Sequence, residues 1–210
     1  MKKPFSLILT ILSLLILNSC RTNYSITELN SNFTKDQISD LNKIVEFFKY
    51  NVCGDKNANL NYCYKQINHD SLQANGTGIW TKIDFKEQKK FYEQISKSTF
   101  NEIWMYCESA YYPSEIKSKD ICAVSLGKYQ KYLSSLGKTN PRIAMYAARI
   151  EATGDFNTFD IQYQEILNKN SDFDLNNPNV QLILAVHYLS MNDREKRNAH
   201  LIEQKEPKFE

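Results

Sequence analysis

The chain has 210 residues, 26 of them basic and 24 acidic, with five cysteines, six glycines and five prolines. A near balance of charge offers no basic face to a phosphate backbone, so no nucleic-acid partner is expected. No stretch is compositionally simple enough to stay disordered, and 13 tyrosines with 11 phenylalanines supply a sizeable core for one domain.

In chain order, Lys2 and Lys3 precede an apolar run over residues 5–17. That run is too short to span a bilayer as a helix and has the charge and length of a secretory leader. It ends in Leu17-Asn18-Ser19-Cys20, which resembles the lipobox of bacterial lipoproteins. The resemblance implies cleavage before Cys20, a thioether-linked diacylglycerol on its sulfur and an acylated amine. Residues 1–19 then form the signal peptide and residues 20–33 a polar tether. Arg21, Thr22, Asn23 and Tyr24 follow the cysteine with neither an adjacent Asp nor an acidic cluster. An outer-membrane lipoprotein facing the periplasm is the expected location, and the lipid is the expected contact with the membrane.

Outside the leader, basic and acidic residues balance at 24 each, and an even number of cysteines remains: Cys53, Cys63, Cys107 and Cys122. In an oxidising compartment that count implies two disulfides, with three connectivities open. Spacing favours Cys53 with Cys63 and Cys107 with Cys122, each bracketing a short connection between two predicted helices. A zinc site is the competing reading, but no C-x-x-C occurs and His69 is the only histidine near in sequence.

The domain is read over residues 34–204, with residues 205–210 as a tail. Thr34-Lys35-Asp36-Gln37 is a capping box opening a helix whose stripe is Ile38, Leu41, Ile44, Val45, Phe48 and Val52. Gly54 stops it, and a second helix runs through Leu60, Tyr64 and Ile67. Residues 69–83 read as an ordered loop pinned by Trp80. Asp84-Phe85-Lys86-Glu87 and Thr99-Phe100-Asn101-Glu102 open two further helices, the second carrying Trp104, Tyr106, Cys107 and Tyr111 up to Pro113. A helix from about Asp120 to Leu136 follows, with Gly137 as its left-handed cap. Asn140-Pro141 and Asn177-Pro178 start two more, with Gly154-Asp155 turning the chain between them, and a charged stretch runs from Asp193 onward.

The segment from Asn140 to Asn170 resembles a tetratricopeptide repeat: Gly154-Asp155-Phe156 matches its inter-helix turn, Ala147 its small first-helix residue, and Tyr163 and Leu167 its second-helix apolar sites. It departs at Phe159 and Ser171, where the family wants alanine and proline. The fold class expected is therefore all-α, a single domain of antiparallel helix hairpins braced by two disulfides. The composition resembles that of Bacteroidetes lipoproteins of unassigned function, and Asp70-Ser71-Leu72 resembles the three-residue O-glycosylation motif of that group.

Catalytic signatures are weak. Leu136-Gly137-Lys138-Thr139 lacks the upstream glycine of a phosphate loop, where Tyr132 stands, and follows a helix rather than a strand. His69, His187 and His200 have no ligand spacing, and His187 reads as a core histidine. No metal or cofactor is expected. Glu102 and Glu108 on an aromatic helix raise glycan cleavage, but six residues turn them to different faces. The candidate ligand-binding residues are Trp104, Tyr106, Glu108 and Tyr111, since such rings stack on sugars or fill partner pockets. The expected function is a non-enzymatic protein- or peptide-binding module, a class that includes inhibitor and immunity roles. A glycan-binding or glycan-cleaving protein acting on peptidoglycan is the alternative.

Overall fold

The computed structural model describes residues 26–111, 116–156, 161, 163–168 and 173–199. The leader, Cys20, Phe159, Ser171, His200 and the tail lie outside them. The chain is mainly helical, with one two-stranded sheet among the described residues. The helices are α1 (Thr27–Asn32), α2 (Lys35–Cys53), α3 (Leu60–Gln66), α4 (His69–Ala74), a 3-10 turn (Ile79–Lys82), α5 (Phe85–Gln94) and α6 (Lys97–Ile103). Strands β1 (Trp104–Tyr111) and β2 (Ile116–Ala123) follow, then α7 (Lys128–Gly137), α8 (Pro141–Thr153), α9 (Tyr163–Leu167) and α10 (Pro178–Arg197).

Helix α10 is the hub. Val180 and every residue from Leu182 to Ser190 are buried, so this helix has no solvated face over three turns and needs partners on all sides. Helix α2, the 3-10 turn, α5 and β2 all pack on it. Most of its neighbours also direct a polar group at it. Tyr64 and Tyr188 share a hydroxyl hydrogen bond of 3.1 Å, and Tyr132 donates to Asn179 at 2.9 Å. Gln88 donates to the Leu189 carbonyl at 2.8 Å, and Asn192 donates to Gln88 at 2.7 Å. Buried polar groups of this kind fix which face meets which neighbour, because any other rotation strands a donor.

The local start signals act as the residues dictate. Thr34 and Gln37 make the reciprocal capping box, Asp84 caps α5, and the two Asn-Pro pairs cap α8 and α10. Gly54 and Gly154 end α2 and α8 with φ of 78° and 66°, a conformation in which a Cβ is strained.

Five expectations are corrected. The fold is not purely α: Trp104–Tyr111, expected within a helix, and Ile116–Ala123, expected as loop up to Lys119 and helix from about Asp120, pair as an antiparallel hairpin. Both segments fit either period, and the environment decides between them by inserting Trp104 against α10. Part of the tether is structured, since residues 27–32 form α1 and bury Leu29 and Phe33 against α7. Helix α6 starts at Ser96, whose hydroxyl accepts from the Thr99 N–H, so Thr99 lies inside the helix it was expected to open. Gly137 is not left-handed; it is the last residue of α7, where a Cβ would lie 2.8 Å from the Ala144 Cα. Its role is to let α7 and α8 touch. Finally, α10 continues through the charged stretch to Arg197.

Cys53 pairs with Cys63 and Cys107 with Cys122, with Cα atoms 5.7 and 6.0 Å apart. The first bridge staples α2 to α3 as expected. The second spans the hairpin diagonally, because Cys107 stands opposite Asp120 and Cys122 opposite Met105.

Candidate functional site

A groove forms where α5, α6, β1 and the end of α10 meet, and its construction begins at Asp40. This buried carboxylate accepts from Lys43 at 2.8 Å, the Ser96 N–H at 3.0 Å and the Thr99 hydroxyl at 2.9 Å. Burial alone would raise its pKa, but those donations outweigh it and hold the carboxyl well below the usual carboxylate range. The effect is to lock the α5–α6 corner onto α2.

From that corner α6 delivers Phe100, and the chain leaves it as β1. Trp104 is wholly buried and its indole N–H donates to Ser190 at 2.8 Å, which pins the first residue of β1 to the hub. Two residues on, at the strand period, Tyr106 is 58% exposed. Its ring lies 5.7 Å from that of Phe100 and 5.1 Å from the guanidinium of Arg197, a cation–π arrangement. Arg197 is held by both oxygens of Asp193, at 2.6 and 2.7 Å. Burial raises the pKa of Asp193, and the Arg197 guanidinium opposes that shift.

The groove encloses about 560 Å³. Tyr92, Ile95, Phe100, Met105 and Tyr106 make its apolar surface, and Lys89, Glu93, Lys97, Asn101 and Arg197 its polar lining. Burial pushes the Tyr92 hydroxyl pKa well up, so it stays protonated while accepting from Gln88 at 2.6 Å.

Among the described residues the outer edge of β1 carries no paired strand. Val124 N–H donates to the Ile103 carbonyl, and with Trp104 opposite Ala123 in the register this fixes the alternation of the ladder. Met105 and Cys107 face β2 with their backbone groups; Trp104, Tyr106, Glu108 and Ala110 face away. The same rule holds on β2, where the outward N–H of Ala123 donates to Gly154 at 2.8 Å and the outward carbonyl of Lys119 accepts from Asn198 at 3.2 Å. The outer edge of β2 is thus covered, whereas among the described residues no strand joins β1.

Of the residues expected to bind a ligand, only Tyr106 lines the groove. Trp104 is a core anchor. Glu108 is exposed, stands opposite Lys119 and lies outside the groove; the side chain of Tyr111 lies outside the described residues. Glu102 is structural, accepting from the Lys128 N–H at 2.8 Å with the Lys128 ammonium 3.7 Å away. Tyr92, Lys97, Phe100 and Arg197, which no motif in the sequence marks as ligand-binding, line the groove as well. The i, i+4 spacing of Asp193 and Arg197 was a visible signal, whereas convergence of Phe100 with Tyr106 across a helix-to-strand junction was not.

A second cavity, about 120 Å³, lies between α4, the 3-10 turn and α10. His69 stacks there between Tyr64 and Tyr163, with centroids 4.4 and 4.8 Å away. Burial lowers the pKa of His69, against a bond to the Tyr64 carbonyl that raises it. Tyr163 hydrogen-bonds Asp70, closing α9 onto α4, while Ser71 is exposed. Trp80 does pin its segment, donating to Glu195 at 2.6 Å, but residues 69–83 are not the loop expected, since they carry α4, capped by Asn68, and the 3-10 turn. His187 is a core residue, 3.4 Å from the Tyr146 hydroxyl.

Among the described residues no group of three or more His, Cys, Asp or Glu side chains could hold a metal ion, and no helix is long and apolar enough to cross a membrane. Compared with protein-family models, with curated proteins and with solved structures, the chain matches none.

Proposed function

We propose that the chain is an envelope lipoprotein, held at the outer membrane through lipid on Cys20 and facing the periplasm, whose disulfide-braced helical body binds a protein or peptide partner without catalysis. The observation that carries this reading is the groove of about 560 Å³ beside the edge of β1 that no strand joins among the described residues. Exposed aromatic and apolar side chains at the mouth, Tyr106 at 58% and Met105 at 49%, are the residue types that anchor protein interfaces. Hydrolysis of a glycan uses two carboxyl groups flanking the bond; among the described residues Glu93 is the one acid lining the groove, and Glu108 does not reach it.

The test replaces Tyr106 by a photoreactive phenylalanine in the full-length chain, in cells, with Leu126, 82% exposed on another surface, as the control position. A discrete protein adduct at 106, absent at 126 and lost on Phe100→Ala, is expected. Absence of an adduct, together with release of sugar from peptidoglycan by the purified protein, would replace this reading with the glycan one. Fractionation checks the address: Cys20→Ala is expected to move the chain from membranes to the soluble fraction, and unchanged fractionation contradicts the lipid anchor.

A further inference from the structure

The proposed binding role leaves the partner's chemistry open, and the hairpin narrows it. Sheet edges in proteins are ordinarily blunted by Lys, Pro or a covering element. β2 follows that practice, with Lys117 and Lys119 exposed along it and Gly154 and Asn198 bonded to its outer backbone. The sequence of β1, Trp-Met-Tyr-Cys-Glu-Ser-Ala-Tyr, contains no Lys, Pro or Gly, and the outward N–H and C=O groups of Tyr106, Glu108 and Ala110 have no paired strand among the described residues. The hairpin that carries this edge is braced by Cys107–Cys122 and by Trp104 on Ser190. A rigid strand with open backbone groups is the receiving half of strand addition.

Charge selects the strand that would add. Lys89 and Lys97 line the groove, and among the described residues neither has a carboxylate within salt-bridge distance. Arg197 is already neutralised by Asp193, and among the described residues Glu93 is the one anion in the lining. We infer that β1 takes an extended, acidic segment of a partner protein as a third strand, with one aromatic or large apolar side chain seated over Tyr92 and Phe100 and an acidic side chain beside it meeting Lys97 or Lys89. Strands pair about 4.8 Å apart, so a segment on the outer edge of β1 runs along the wall that Met105 and Tyr106 give the groove. The volume there is of the class that encloses a whole side chain and its neighbours.

This rests on the binding role proposed above, and its test separates the two. A display library of random octapeptides is panned against the oxidised, leader-free chain and, in parallel, against Glu108→Pro and Lys97→Glu. Proline at 108 removes an outward donor that the hairpin itself does not use. Circular dichroism and a thiol count establish that each variant is folded and bridged; Ala110→Pro serves in place of a Glu108→Pro chain that is not. The expected result is enrichment of an aromatic residue flanked by Asp or Glu, binding roughly tenfold weaker to the proline variant, and a preference for acid that disappears on Lys97→Glu. Enrichment of basic or non-aromatic peptides, or affinity unchanged by proline at the edge, overturns the acidic third strand while leaving the binding role standing. No enrichment over the proline variant, with no adduct at position 106, overturns both.

Discussion

Acid should unfold this protein early, and His187 should be a main reason. The imidazole is fully buried between Tyr146 and Tyr188, and burial pushes its pKa down to about 3, against a backbone bond at Phe156 that raises it. In the unfolded chain the same group titrates near 6.5. The unfolded state therefore binds the extra proton throughout the window from about 6.5 down to about 3, and stability falls as pH falls through it. Linkage with those two values gives a loss of about 2 kcal/mol between pH 7.5 and pH 5 from this residue alone. Urea unfolding of wild type and His187→Phe, disulfides intact, measures it at both pH values. Wild type is expected to lose about 2 kcal/mol more than the variant on going to pH 5. His69, whose pKa is also lowered, acts in the same window but is present in both chains and cancels. Equal losses in the two chains would refute a neutral buried His187.

Ser190→Ala leaves the buried indole N–H of Trp104 without its acceptor and is expected to lower stability by about 1–3 kcal/mol, read as a shift of the urea midpoint at unchanged slope. Gly137→Ala places a methyl group 2.8 Å from the Ala144 Cα and is expected to cost about 1–3 kcal/mol by forcing α7 off α8, read as a lowered thermal midpoint. Stability raised by this second change, as replacing glycine within a helix would ordinarily give, contradicts the close approach.

What the residues made legible were the helix starts and the staples. Thr34, Asp84, Asn140 and Asn177 carry their caps within three or four residues, so no tertiary knowledge was needed to place them. Cys53 and Cys63 bracket a short turn, so proximity in sequence favours their pairing, which the structure shows. The hairpin was not legible, because Trp104, Cys107 and Tyr111 recur at helical spacing as readily as Trp104 and Tyr106 alternate on a strand. Only a buried acceptor 86 residues away, Ser190, breaks the tie. The groove is illegible for the same reason: the ring of Tyr106 makes it a candidate, but Phe100 and Arg197 meet that ring only once the chain leaves α6 as a strand. Gly137 misled for a related reason, since a glycine at a helix end serves either a left-handed cap or a close neighbour, and the neighbour here is the next helix.

Backbone amide exchange on β1 tests the binding account most directly. In the free protein the amides of Met105 and Cys107, bonded across the hairpin, should exchange slowly, and those of Tyr106, Glu108 and Ala110 quickly. Addition of the peptide enriched on the wild-type chain should slow the outward set and leave the inward set unchanged. Outward amides that are protected already in the free chain, or that stay fast when the peptide is bound, would contradict the account.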